Sequence, residues 1–140
     1  MGQQQLLLLV LATIIVGIAT VVGIQAFSQN NIKSNADALM NDAVRIASDA
    51  QAWAQKSAPF GGPAAANFGD VTKATLPVLG YADPAVNTNG SCELDGTTTA
   101  SVLTITCENT TLGNEVAVDV NGLTESNVTG KITILGGVTQ

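Results

Sequence analysis

The residues that could do chemistry are few. Cys92 and Cys107 are the only thiols among 140 residues, and the chain has no histidine. Two thiols without a histidine do not make up a four-ligand zinc site, and no serine or cysteine nucleophile has a recognisable base beside it. No glycine-rich loop of the kind that cradles phosphate is present. The acids Asp37, Asp42 and Asp49 fall in a stretch with helical periodicity, where such a run is ordinarily a solvated face. We therefore expect no enzyme, no cofactor and no metal site. What the two cysteines can do is pair, which for a loop of this length is worth roughly 3 kcal/mol in the chain-entropy model and implies an oxidising compartment. Two buried free thiols are the alternative. Asn89-Gly90-Ser91, Asn109-Thr110-Thr111 and Asn127-Val128-Thr129 are glycosylation sequons, which makes Asn89, Asn109 and Asn127 possible acceptors in exposed-looking surroundings.

The elements that carry these residues read as strands. SVLTITC (101–107) alternates, with Leu103, Ile105 and Cys107 on one face; EVAVDV (115–120) repeats the pattern with Val116, Val118 and Val120, and KITIL (131–135) with Ile132 and Ile134. Asn121-Gly122 fits a two-residue hairpin turn, and Asp95-Gly96 offers another. A sheet of about four antiparallel strands follows, one face solvated and one face packed on a helix. The pairing around the cysteines stays open, because a tight turn at Asp95-Gly96 would set Cys92 opposite Thr99 rather than Cys107.

The helix for that packed face precedes the strands. Ile32, Ala36, Leu39, Met40, Ala43, Ile46, Ala47, Ala50, Trp53 and Ala54 recur at three-and-four spacing with polar residues between them, which makes one apolar stripe. The first proline is Pro59, and PFGGP (59–63) is a strong stop. Upstream, no charged side chain occurs from Met1 to Ile32. Leu6 to Ile24 is an apolar run of 19 residues, about 28 Å as a helix and close to the roughly 30 Å of a bilayer's hydrocarbon. A signal peptide has a shorter apolar region behind positive charge, so we expect the segment to be retained, with a basic leader removed ahead of Met1. Read as one helix, residues 1–57 would be on the order of 80 Å long, wider than any 80-residue domain.

The formal charge of −6, with Lys33, Arg45, Lys56, Lys73 and Lys131 scattered singly, provides no nucleic-acid patch. It also provides no basic face for a membrane-surface helix. Phe27 and Trp53 would lie roughly 39 Å apart on the helix, too far for aromatic stacking within one chain. The expected organisation is thus α+β: a helix over 1–57, apolar to 24 and amphipathic from 25, then a loop over 58–70 and a small β-rich domain over 71–140.

QQQLLLLVLATIIVGIATVVGIQAFSQNN, running into an amphipathic helix through Trp53 and followed by a small sheet with one disulfide, resembles the type IV pilins and type II secretion pseudopilins. The sequence likeness is confined to the first thirty or so residues. The resemblance implies a structural subunit that polymerises into an extracellular filament, its chief partner being copies of itself. It also implies residence in the inner membrane before assembly, with a prepilin peptidase and an assembly ATPase as partners, and a methylated N-terminus. The residues expected in the filament core are Met1, Gln5, Leu6, Leu7, Leu8, Leu9, Val10, Leu11, Ile14, Ile15, Ile18, Val21, Val22 and Ile24. Gln5 stands where the family usually has a glutamate; it can accept a hydrogen bond but cannot form the ion pair. The family's proline near residue 22 is absent, leaving Gly17 and Gly23 as the expected positions of any melted stretch. The neutral stretch past Ile24 exceeds what a bilayer needs, and a plain anchor normally carries flanking charge, which favours a filament. The alternatives are a single-pass anchored surface domain such as an adhesin or a minor pseudopilin, and an archaeal pilin.

Overall fold

The computed structural model describes residues 2–63, 74–95, 102–122 and 128–134. Met1, Asn127 and the later part of the expected 58–70 loop lie outside them. The chain divides into two compact units, Met1–Ser34 and Asn35–Gln140.

One helix, α1 (Gly2–Ala54), begins in the first unit and ends in the second. Leucine and alanine favour it, and no proline interrupts it. It continues through Gly17 and Gly23 without a break. The helix stops at Ala54, three residues short of the expected Ser57, where the Lys56 amide donates to the Trp53 carbonyl at 3.0 Å. A single 3-10 turn, Ala58–Phe60, follows, closed by Gly61 at φ 81°.

In the second unit the residues of α1 that are buried are Ala36, Leu39, Ala43, Ile46, Ala47, Ala50, Trp53 and Ala54; of the expected stripe, Met40 is only half-buried against this core, and Ile32, half-buried, belongs to the first unit. Small alanines between the larger side chains let the sheet approach closely. The opposing layer has five strands rather than four: β1 (Ala85–Val86), β2 (Ser91–Asp95), β3 (Leu103–Asn109), β4 (Asn114–Val120) and β5 (Val128–Ile134), each antiparallel to its chain neighbour. Leu103, Ile105, Val116, Val118 and Val120 are fully buried against the helix stripe. Ile132 shares their face opposite Val116, but it lies on the edge strand and keeps 43% of its surface exposed.

Three expectations are corrected. A short helix, α2 (Leu76–Leu79), precedes the sheet, where helical periodicity is too brief to register; its Leu76 is buried in the core. The Asn121-Gly122 pair makes no two-residue hairpin turn, since Val120 pairs with Val128 across a connection spanning 121–127. The register of β2 on β3 likewise rules out a tight turn at Asp95-Gly96, because Leu94 pairs with Ile105 and Cys92 with Cys107. That register answers the question the sequence left open: Cys92 and Cys107 are directly opposed, buried and joined by a disulfide.

The tight turns occur elsewhere, and asparagine builds both. In the turn between β1 and β2, the Asn87 side-chain oxygen accepts from the amides of Asn89 (2.9 Å) and Gly90 (3.1 Å). Between β3 and β4, Asn109 accepts from Thr111 and Leu112, both at 3.0 Å, and Gly113 takes φ 70°. Both are Asx-type turns, in which a side chain substitutes for a backbone acceptor. Gly90 has a second constraint. A Cβ there would collide with the Glu108 carbonyl and lie 3.0 Å from Leu39 Cδ2. Gly90→Ala is therefore expected to cost roughly 2 kcal/mol by overpacking, lowering the midpoint of thermal unfolding by about 8–16 °C for a domain of this size. Circular dichroism melting checks this.

Candidate functional site

The functional surface expected from the sequence is the apolar part of α1. Every described residue from Gly2 to Asn31 is exposed. Leu6, Leu7, Leu8, Leu9, Val10, Leu11, Ile14, Ile15, Ile18, Val21, Val22 and Ile24 all lie on this surface, each more than half exposed. Gln5 lies there too. The segment is long and apolar enough to cross a membrane by length and composition. The two hydroxyls between Leu6 and Ile24 are satisfied within the helix: Thr13 donates to the Val10 carbonyl at 2.8 Å and Thr20 to the Val16 carbonyl at 2.7 Å. Each would otherwise cost several kcal/mol in an apolar surrounding, so the surface is apolar in effect as well as in composition. Thr13, Gly17, Thr20 and Gly23 follow one another at spacings of four, three and three, one line of small side chains along the helix. No atom lies near a Cβ built on Gly17 or Gly23.

A second constellation is one that sequence reasoning missed, since Asn89 and Asn109 were read only as sequons and Asn35, Asn87 and Asn114 were given no role. Asp42 on α1 accepts from the side-chain amides of Asn87 (2.8 Å) and Asn89 (2.9 Å). The Asn89 carbonyl in turn accepts from Asn35 (2.9 Å) and Asn109 (2.6 Å), and Asn114 donates to Asn35 at 3.0 Å. The network ties the helix to both asparagine turns. Asn89 and Asn109 are half-buried, so the nitrogen that would carry a glycan is already donating at each. The signal for this was the pattern itself: asparagine followed by glycine within three or four residues, twice, as turns demand. Asp42 is thus a structural acceptor rather than a purely solvated acid, whereas Asp37 is exposed.

Further along α1, Asp49 accepts a hydrogen bond from the Tyr81 hydroxyl. Burial first, and then that hydrogen bond, push the Tyr81 phenol above its usual value. Tyr81, Arg45, Ile46, Ala85 and Val86 line a groove of about 310 Å³ beside the two-residue edge strand β1. Among the described residues no three His, Cys, Asp or Glu side chains gather as metal ligands would.

Comparison with models of known protein families, with curated proteins and with solved structures finds no match for this chain.

Proposed function

We propose that the chain is a structural subunit that polymerises through the apolar part of α1 into an extracellular filament. The observation that supports this reading most is the run from Gly2 to Asn31, helical, uncharged and exposed throughout. At 1.5 Å per residue it extends about 45 Å, beyond the roughly 30 Å that a bilayer's hydrocarbon needs. Gln25, Ser28, Gln29, Asn30 and Asn31 in its last part are neutral where an anchor normally has lysine or arginine. Helices that solvate one another at the centre of a fibre require that neutrality along the whole contact. Before assembly the same surface suits the cytoplasmic membrane, and a processing peptidase and an assembly motor are the partners this route requires.

Electron microscopy and pelleting of material shed by cells expressing the chain test the reading. Fibres that contain it are expected; single molecules in lipid, with nothing polymeric outside the cell, would leave only an anchored surface domain. Gly17→Leu sharpens the comparison. Small residues at helix contacts allow close approach, so this bulky substitution should leave membrane insertion intact while cutting fibre yield about tenfold or more, as immunoblots of membrane and pelleted fractions would read.

A further inference from the structure

The turn after α1 builds a rigid aromatic knob. The Phe60 amide donates to the Ser57 carbonyl at 2.9 Å, that of Gly61 to Ala58 at 3.1 Å, and that of Gly62 to Ser57 at 3.3 Å. The buried Trp53 indole donates to the Gly61 carbonyl at 2.9 Å. Gly61 sits at φ 81°, and a Cβ on Gly62 would collide with the Lys56 carbonyl. All this order presents Phe60 with 81% of its surface exposed. A single exposed apolar side chain is unremarkable on a mobile loop. On a turn held by four hydrogen bonds it is a pre-organised anchor, because little backbone freedom is left to lose on contact.

The groove beside β1 has complementary properties. Ile46 and Ala85 give it apolar walls, Val86 is 71% exposed at its mouth, and Arg45 lies at its side, where a guanidinium can stack on an aromatic face. Its volume of about 310 Å³ is ample for a benzyl group. The charges match as well. Lys56 is the one charged residue between Gln55 and Pro63, while Asp42 lines the groove and Asp49 binds the Tyr81 hydroxyl that borders it. Knob and groove lie at different levels: Arg45 and Trp53 are eight residues apart on α1, about 12 Å along its axis.

We propose that the Phe60 knob of one subunit seats in the Arg45–Tyr81–Val86 groove of the next copy, an inference that rests on the polymer reading above. The contact joins two different patches, so it is head-to-tail; with an axial offset at each step it propagates a fibre rather than closing into a ring. Copies with parallel helices that meet this way are offset by about 12 Å or more along the helix axis. The globular units thereby set the axial step, and the apolar helices supply the packing.

Cysteine pairing tests the contact in the full-length chain. Phe60 and Val86 are both exposed, and the native cysteines are buried in their own disulfide, so Phe60→Cys and Val86→Cys leave the fold intact. Under mild oxidation of pelleted material, the double variant is expected to give a ladder of covalent oligomers, while each single variant stays monomeric. Phe60→Ala without crosslinking should raise the concentration needed for assembly roughly tenfold, as for loss of an aromatic anchor. Fibres that pellet normally but give no ladder, or dimers from Phe60→Cys alone, would overturn the contact and leave the polymer reading standing. Absence of pelleted fibres from the unmodified chain would overturn the polymer reading and the contact with it.

Discussion

Ile15→Lys is expected to abolish fibres while leaving the globular unit folded. Ile15 is 59% exposed in the single chain and is not one of the buried core residues, so the substitution costs little within the monomer. In a fibre the ammonium would be buried among neutral helices at several kcal/mol in each subunit; 3 kcal/mol already weakens an association by more than a hundredfold. A lysine at mid-bilayer is also costly, by about 2.5–3.5 kcal/mol on insertion scales, and so this variant alone does not separate fibre from anchor. Gln29→Lys does. It lies five residues beyond Ile24, roughly 7.5 Å past the apolar run, where a membrane anchor tolerates or gains from a positive charge. Fibre yield is expected to fall sharply with Gln29→Lys while membrane insertion is unchanged. Normal fibres from this variant would sink the view that the neutral extension packs on itself.

The second large effect is the loss of the disulfide. Cys92 and Cys107 are separated by 15 residues and buried at the centre of the helix–sheet contact. Closing a loop of that length contributes about 3 kcal/mol, a large share of the 5–15 kcal/mol that holds a domain of ordinary size together. Replacing both cysteines with alanine is expected to lower the thermal midpoint by at least 12 °C, read by circular dichroism on the full chain in detergent. A shift of under 3 °C would mean that the core, with Leu39, Ile46, Leu103 and Val118 fully buried, is sufficient without the bond.

The helix stripe and the core-facing residues of β3 and β4 were legible in the sequence because periodicity survives any loop length. Leu39, Ala43, Ile46 and Ala50 on one side, and Leu103, Ile105, Val116 and Val118 on the other, are buried where the spacing put them. Register was not legible in this way. The direct opposition of Cys92 and Cys107 depends on a connection of several residues after Asp95, and two glycine-containing dipeptides drew the turns to the wrong places. The real tight turns are set by Asn87 and Asn109, whose side chains imitate backbone acceptors; a glycine three or four residues further on is their one sequence signal, weaker than an adjacent Asn-Gly or Asp-Gly pair. β1 and α2, with two and four residues, are too short to carry a period. The groove and the Phe60 knob depend on Trp53 reaching Gly61 and on Tyr81 reaching Asp49, contacts that sequence spacing does not encode.

In the order β1-β2-β3-β4-β5 each strand lies beside the one made just before it. No pairing has to wait for a distant part of the chain, so the entropy of closing long loops, which slows many β proteins, is small here. On the export route proposed above, with the N-terminus anchored and the tail last, such a meander would zip up strand by strand onto a helix already in place, and a subunit would be ready for its neighbours once its final ribbon arrived.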